Sequence, residues 1–238
     1  PRIPLTGAMK GKDSFKLLLL TAEFPPQVGG IATLTSQLSK ELHGKNYEGR
    51  EFLVRVVTSV GGEEDFDFPV TRTPGFLNIK LLKIFPLLLA TLSVCIREKP
   101  DKILIGKWTH EAFVAFLVSR LLRTPYVTIT HGSEVLKFKD NGLIEPLLRK
   151  LLSGGENVVA VSNYTKSLLT ELGVSDVRVI HNGLNLDSYN LKVPVADFRE
   201  KLEVDGKTVL LTVSRLVERK GHDMTLEALA EVVPDHPD

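Results

Sequence analysis

The residues best suited to chemistry lie in a loop that contains Gly29 and Gly30. Before this loop, residues 16–20 are a mostly apolar run typical of a buried parallel strand. After it, apolar residues at helical spacing over 31–42 predict a helix, and Gly44 stands where a C-terminal capping glycine would end it. The start of a helix presents free backbone N–H groups, which can bind an anion. The loop is therefore either an anion site or simply a tight turn.

A second loop, near the end of the chain, carries two cations. Residues 207–213 are predicted as another apolar strand, and Arg215 and Lys220 follow it in a polar loop that ends at Gly221. A guanidinium and an ammonium at the carboxyl end of a strand could together bind a diphosphate. A solvated run of charges would explain the same pattern, so both interpretations stay open.

His131 and Glu134 follow a further predicted strand, residues 126–130. A histidine at the carboxyl end of a parallel strand lies where such sheets bind ligands, but it can equally be a structural residue. Glu134 could orient the hydroxyl groups of a substrate or merely cap the segment that follows. Ser162 is predicted as the N-cap of a helix.

Strands and helices alternate along the chain, and this alternation positions the loops. After the first strand and helix, the predicted strands are residues 52–58, 68–72, 102–105, 126–130, 158–161 and 177–180. The predicted helices are residues 77–97, 111–122, 143–152 and 164–172. This alternation predicts an α/β fold with right-handed crossovers, a Rossmann-like doubly wound parallel sheet. Ligands of such sheets bind at the carboxyl ends of the strands.

The same pattern divides the chain into parts. Residues 1–14 are predicted to be a disordered tail, and residues 15–186 to form the Rossmann-like domain. Residues 187–238 are predicted to be a linker and the first strand–helix unit of a second domain. Within that unit we expect a short helix at 195–202, the strand at 207–213 and a helix at 224–233.

Composition excludes several classes of protein. The chain is 43% hydrophobic and 25% charged, as in ordinary globular proteins, and its net charge of +1 provides no field for nucleic acid. Cys95, the only cysteine, excludes an intrachain disulfide and fits a reducing compartment. The apolar segment 84–96 is too short for a membrane span, and no secretory signal is visible, so a cytoplasmic location is predicted.

Several short motifs together resemble family 4 of the retaining glycosyltransferases. They are Glu23-Phe24-Pro25-Pro26 with Gly29-Gly30, Thr130-His131-Gly132-Ser133-Glu134, Val161-Ser162, Asn182-Gly183 and Val213-Ser214-Arg215-Leu216-Val217-Glu218-Arg219-Lys220-Gly221. They occur in the family's order and cover nearly the whole chain, so their combination is specific although each motif alone is weak. The resemblance implies a GT-B fold, in which an N-terminal Rossmann-like domain receives the acceptor and a C-terminal one holds most of the sugar nucleotide.

The resemblance also implies roles for single residues. The amides of Gly29 and Gly30 would contact the diphosphate of the donor, opposite Arg215 and Lys220 of the second domain. His131 would lie beside the transferred sugar.

Two further assignments follow from the same resemblance. Glu134 joins His131 as a catalytic candidate, and Asn182 with Gly183 would form the interdomain hinge. The family commonly has an acidic residue two positions after that glycine, whereas this chain has Asn185. The departure affects the expected linker contacts but not the fold.

The expected chemistry requires neither a metal nor a cofactor. Breaking the bond between an anomeric carbon and a phosphate leaves negative charge on the diphosphate, which pre-placed cations and N–H groups can stabilise. The sequence has no Asp-x-Asp pair and no clustered histidines that would indicate a metal site. The nucleotide-diphosphate sugar is the donor substrate. Family members retain the anomeric configuration, a property that the residues alone do not decide.

One feature of the family is missing from this chain. The second domain normally supplies two glutamates eight positions apart that contact the donor, and this sequence contains no such pair. We therefore expect a truncated second domain and a fragment that is inactive alone. Residues 207–233, which begin with the apolar run 207–213, are expected either to dock against another copy of the chain, as in a domain swap, or to be poorly ordered.

Two other functions remain as alternatives. A dinucleotide-dependent oxidoreductase would suit the fold class, but the chain lacks the G-x-G-x-x-G turn after the first strand and an acid at the end of the second. A non-catalytic sugar-binding or partner-binding module would suit a chain without a donor half.

The acceptor is expected to be a carbohydrate or a lipid-linked molecule. A basic face could contact an anionic membrane, and its candidate residues are Lys80, Lys83, Lys137, Lys139, Arg149 and Lys150. Solvated positions on helices that pack inward are the simpler explanation of the same residues.

Overall fold

The computed structural model describes residues 13–73, 84–138, 141–142, 144–184, 186 and 195–236. The chain separates into two compact units, one ending at Gly183 and the other starting at Leu184. The predicted boundary, near Leu186, lies close to this division.

The first unit is built on one sheet, which has eight strands among the described residues. The strands are β1 (Ser14–Thr21), β2 (Asn46–Tyr47), β3 (Arg50–Thr58), β4 (Val70–Arg72), β5 (Lys102–Ile105), β6 (Tyr126–Thr130), β7 (Asn157–Ala160) and β8 (Val177–Val179). Their order is β2-β3-β1-β5-β6-β7-β8, with β4 beside β3. Every pairing is parallel except that of the short β2 with β3. The predicted doubly wound parallel sheet is confirmed.

Strand β1 is an interior strand of this sheet. It pairs with β3 on one side, Ser14 opposite Glu51, and with β5 on the other, Leu17 opposite Lys102. Alternate side chains enter two separate cores, because successive residues of a strand point to opposite faces. Leu18 and Leu20 belong to the larger core, and Leu17 and Leu19 to the smaller one. Because both faces are covered, β1 tolerates an apolar sequence without alternation.

The helices cover the two faces of the sheet. In the first unit they are α1 (Gly30–Leu42), α2 (Ile84–Glu98), α3 (His110–Leu122), α4 (Ser133–Phe138), α5 (Glu145–Ser153) and α6 (Asn163–Glu171). Two local predictions are confirmed. Gly44 has a left-handed φ of 70° just after α1, and the Ser162 hydroxyl accepts a hydrogen bond from the Thr165 amide at the start of α6.

Several boundaries differ from the prediction. The disordered tail was predicted to end at residue 14, but Ser14 already pairs with β3 as part of β1. The sequence pattern missed β2 and α4, which are too short to show a period. Residues 77–83 of the predicted second helix and Leu143 of the predicted fourth lie outside the described residues.

The second unit contains helices α7 (Val195–Lys201) and α8 (His222–Val232) and a 3-10 turn at Glu218–Lys220. The strand predicted at 207–213 is wrong, since these residues form no strand in the structure. Their side chains are exposed, up to 84% at Val213. A strand needs a hydrogen-bonding neighbour, and none of the described residues pairs with this run.

In the described part of the chain, no helix has the length and apolar character to cross a bilayer.

Candidate functional site

The sheet reverses its order of strands at β1. The chain passes from β1 to β3 and β4 on one side and then crosses to β5, β6, β7 and β8 on the other. The loops that leave the carboxyl ends of β1 and β5 therefore diverge, one toward α1 and the other toward α3. Ligands of doubly wound sheets bind in the crevice at such a reversal. Residues 22–29 and 106–109 line this edge of the first unit.

Gly29 and Gly30 stand at the open start of α1. Gly29 is the N-cap, its backbone is extended, and no side chain caps the first amides of the helix. A Cβ at Gly30 would meet no atom within 4 Å, and one at Gly29 would approach only a Glu23 carboxylate oxygen, at 3.9 Å. Packing within this unit therefore does not require glycine at either position. The helix start is open to approach from outside, as an anion site needs.

Gly106, in the loop after β5, shows the opposite situation. A Cβ there would lie 2.7 Å from Thr35 Cγ2 and 3.1 Å from Thr21 Oγ1. Gly106 is thus required by close packing of the β5 loop against β1 and α1.

The loop after β1 is fixed at several points. The Glu23 carboxylate forms an ion pair with the Lys107 ammonium from the β5 loop. The Glu23 carbonyl accepts hydrogen bonds from Thr21 Oγ1 at 2.9 Å and from Thr35 Oγ1 at 3.1 Å. Farther along, Arg72 Nη1 donates to the Pro25 carbonyl at 2.9 Å. The path that leads to Gly29 is therefore held by contacts from β4, β5 and α1 rather than by the loop itself.

Glu111, the second residue of α3, is a fully buried carboxylate beside the same crevice. One carboxylate oxygen accepts the Ala22 N–H at 2.8 Å, and the other accepts a hydrogen bond from Thr109 Oγ1. Burial, the largest influence, raises the pKa of this carboxyl, and the hydrogen bonds from Thr109 and Ala22 oppose the rise.

His131 is held above the crevice by the loop after β6. Its Nε2 lies 2.9 Å from the Gly106 carbonyl oxygen. A carbonyl can only accept, so Nε2 carries the proton in this contact. The ring is thereby tied to the β5 loop, and His131 joins Gly29 and Gly30 on the same edge of the sheet.

Glu134 is almost entirely buried and faces the backbone. Its Oε1 accepts the His131 N–H at 2.7 Å, and its Oε2 accepts from Ser133 Oγ at 3.3 Å. Both oxygens therefore contact groups at or just before the start of α4, and the choice between a substrate contact and a cap stays a prediction. Gly132 is required beside it, because its φ is +91° and a Cβ would lie 3.0 Å from Thr165 Oγ1.

The remaining predicted site residues lie elsewhere. Asn182 and Gly183 are exposed at the end of the first unit, where the two units divide. Arg215 and Lys220 are exposed in the second unit. His222 Nε2 in that unit lies 3.0 Å from the Arg215 carbonyl and 2.9 Å from Ser214 Oγ, so it shapes the loop from within.

Sequence reasoning assigned no role to Lys107, Glu111 or His222. Lys107 and Glu111 follow the predicted strand 102–105. The rule that ligands bind at the carboxyl ends of parallel strands therefore indicated this part of the chain. Their partners Glu23 and Ala22 are more than 80 residues away in sequence, and no local pattern predicts such pairs. Within the described ranges, no three histidine, cysteine or acidic side chains cluster as a metal site would require.

Comparison with known proteins identifies the family. The profile of Glycosyltransferase Family 4 matches residues 28–188, more than half of the chain. The chain belongs to glycosyltransferase family 4. The predicted family is confirmed.

Curated relatives of this family member include bacterial mannosyltransferases. The GDP-mannose-dependent alpha-(1-6)-phosphatidylinositol monomannoside mannosyltransferase of Mycolicibacterium smegmatis is 27% identical over 230 residues, which are 92% of this chain and 58% of that protein. The GDP-mannose-dependent monoacylated alpha-(1-6)-phosphatidylinositol monomannoside mannosyltransferase of Corynebacterium glutamicum is 25% identical over 237 residues, 94% of this chain and 59% of that protein. The chain thus spans less than two thirds of these relatives.

Solved structures share the fold. Anabaena HepE in complex with UDP-glucose has a TM-score of 0.70 at 20% identity, covering 91% of this chain and 57% of that one. A glycosyltransferase from Rickettsia africae has a TM-score of 0.69 at 17% identity, covering 94% and 62% of the respective chains.

Proposed function

We propose that this family member moves a sugar from a nucleotide-diphosphate donor to a hydroxyl group of an acceptor, with retention of the anomeric configuration. The observation that carries the proposal is the set of groups at one edge of the first unit. The open start of α1 at Gly29 and Gly30 lies at this edge. The neighbouring strand ends carry His131 and the Glu23–Lys107 ion pair. An open helix start suits a diphosphate, and the polar side chains around it suit sugar hydroxyls.

In this proposal the protein stabilises the leaving diphosphate by electrostatics. The amides of Gly29 and Gly30 contact it from the first unit, and Arg215 and Lys220 supply positive charge from the second. Each well-aimed donor contributes about 3 to 4 kcal/mol to stabilising the transition state. These groups replace a metal ion, so the transfer is proposed to be metal-independent. The second unit is, in the same proposal, the beginning of the nucleotide-sugar-binding domain.

His131 contacts the transferred sugar through its second ring nitrogen. Because Nε2 donates to the Gly106 carbonyl, Nδ1 is the ring atom left to accept a hydrogen bond from a sugar hydroxyl. Glu134 acts on this contact indirectly, since it holds the His131 backbone. We therefore propose His131 as the residue that touches the sugar and Glu134 as its support. Asn182 and Gly183 are proposed as the hinge between the units.

The acceptor is proposed to be a carbohydrate, in free or lipid-linked form. The support is that the relatives from Mycolicibacterium and Corynebacterium are named as mannosyltransferases of phosphatidylinositol mannosides. A lipid-linked acceptor would bring a cytoplasmic protein to the membrane surface. Of the basic residues expected there, Lys137, Arg149 and Lys150 are exposed, while Lys80, Lys83 and Lys139 lie outside the described residues.

The test is a transfer assay with radiolabelled UDP-glucose and GDP-mannose, run on the 238-residue chain and on the chain followed by a complete donor domain. We expect transfer to a carbohydrate or lipid-linked acceptor only with the complete donor domain. In that protein, His131→Ala, Arg215→Ala and Lys220→Ala should each lower turnover about 100-fold or more.

Thermal denaturation of each variant provides the control, because an inactive protein that no longer folds says nothing about catalysis. Full activity of all three folded variants would contradict the assigned roles. Nucleotide-sugar binding without any transfer would instead favour a non-catalytic sugar-binding module.

A further inference from the structure

Glu111 is the carboxylate in the first unit whose burial needs an explanation. Its side chain is fully buried, and its two oxygens accept hydrogen bonds from the Ala22 N–H and the Thr109 hydroxyl. Burying a carboxylate is costly, and the hydrogen bonds that it accepts offset that cost.

The group that Glu111 holds lies at the start of the loop after β1. Ala22 is the first residue beyond β1, and the next residue, Glu23, forms the ion pair with Lys107. Two successive residues of this loop are thus held by the segment between β5 and α3. The loop then runs to Gly29 and Gly30 at the open start of α1.

Asp101 provides a comparison at the other end of β1. Its Oδ2 accepts the Lys16 N–H at 2.8 Å, and its own N–H donates to the Lys16 carbonyl at 2.8 Å. Asp101 lies just before β5 and Glu111 lies after it. Each therefore accepts a hydrogen bond from a backbone amide at one end of β1. Only Glu111 holds the end that continues into the candidate site.

We propose that Glu111 is a positioning residue, which sets the path of residues 22–30 through its hydrogen bond to the Ala22 amide and thereby places the Gly29 and Gly30 N–H groups. This inference rests on the proposed function in one respect, the binding of a diphosphate at those amides. The two carboxylates at the ends of β1 thus differ in purpose, Asp101 joining strands and Glu111 shaping a ligand site.

The test uses the 238-residue chain, labelled with nitrogen-15. The variants are Glu111→Met, which keeps the volume but removes the acceptor, and Glu111→Gln, whose amide oxygen can still accept the Ala22 N–H. Asp101→Leu and Asp101→Asn are the matched pair at the other end of β1. Amide hydrogen exchange, thermal denaturation and a titration with inorganic pyrophosphate are followed for each.

We expect Glu111→Met to fold but to unfold at a moderately lower temperature, because the Ala22 N–H loses its acceptor. The hydrogen-bonded amides of Ala22, Glu23 and Gln27 should exchange about 10- to 100-fold faster. The response of the Gly29 and Gly30 resonances to pyrophosphate should weaken in the same variant. Glu111→Gln should restore both properties. Asp101→Leu should speed exchange at Lys16 and leave Gly29 and Gly30 unchanged.

The proposal is overturned if exchange over residues 22–30 is unchanged in Glu111→Met, or if it rises equally throughout the first unit. It is also overturned if Glu111→Met fails to fold, since the carboxylate would then serve the whole unit. Failure of pyrophosphate to shift Gly29 or Gly30 in the wild type would contradict the diphosphate site of the proposed function, while the exchange data would still decide the role of Glu111.

Discussion

Strand β1 and the segment 207–213 have similar apolar sequences and different structures. In β1, Leu18 and Leu20 are fully buried between β3 and β5. In the second segment, Leu210 and Leu211 are 69% and 82% exposed, and no strand forms. The difference lies in the neighbours, because β1 has a partner strand on each side and helices over both faces. An apolar run indicates that a segment is suited to the interior of a sheet. The segment forms a strand only where partner strands pair with it.

The difference in burial between the two segments corresponds to a difference in free energy. Burying one large aliphatic side chain contributes roughly 1.5 to 3 kcal/mol, so four such side chains left in water forfeit on the order of 6 to 12 kcal/mol. Val209, Leu210, Leu211 and Val213 are the four side chains concerned. Self-association of two copies through this run, or poor order of the run, remains our prediction for the isolated chain.

The largest expected effect tests this difference between the two segments directly. Leu18→Ala in β1 should lower the free energy of unfolding by about 2 to 5 kcal/mol, because it leaves a cavity in the core. Leu211→Ala should change it by less than about 0.5 kcal/mol, because the side chain is already in water. Urea denaturation followed by circular dichroism measures both. Comparable losses would mean that 207–213 is buried in solution, against another copy or another part of the chain.

A smaller effect separates two glycines on the first unit's site edge. Gly106→Ala should destabilise the unit by about 1 to 3 kcal/mol, because its Cβ would overlap Thr35 and Thr21. Gly30→Ala should leave stability unchanged within about 0.5 kcal/mol, since its Cβ meets only open space.

The same pair of variants also tests the anion site. Gly30→Ala should weaken binding of pyrophosphate or a nucleoside diphosphate, measured by calorimetry, although it folds normally. Undiminished binding in this variant would mean that no ligand approaches the start of α1 closely.

The smallest effect concerns the pH dependence of stability. Burial raises the pKa of Glu111 above its ordinary value of 4.5. Between 4.5 and the raised value, the folded state binds more protons than the unfolded state, so the contribution of this group to stability falls as pH rises. The slope is at most about 1.4 kcal/mol per pH unit for one proton.

Urea titrations at a series of pH values compare the wild type with Glu111→Gln, which cannot titrate. The stability of the variant relative to the wild type should increase as pH rises through this window. Glu227→Gln, which removes an exposed carboxylate of α8, is the control for loss of one charge. A relative stability that decreases with pH would contradict the raised pKa.

Much of the site could be located from the sequence, but its internal contacts could not. Gly29, Gly30 and His131 follow predicted strands, and the rule for parallel sheets brings strand ends to one edge. The role of Glu134 was left open between substrate and cap, because a carboxylate near a helix start suits both. The Glu23–Lys107 and Glu111–Ala22 contacts were not predicted, since they join residues that are 84 and 89 positions apart, respectively.

The sequence by itself determined the alternation of strands and helices, the family, and local features such as the Ser162 cap. These depend on apolar period, short motifs and residues a few positions apart, all of which are present in the linear chain. Only the tertiary structure decided that β1 lies between β3 and β5, that residues 207–213 form no strand and that Glu111 is buried beside Ala22. Burial and strand pairing depend on which distant segments become neighbours. The apolar pattern of one segment does not say whether a partner strand will lie beside that segment.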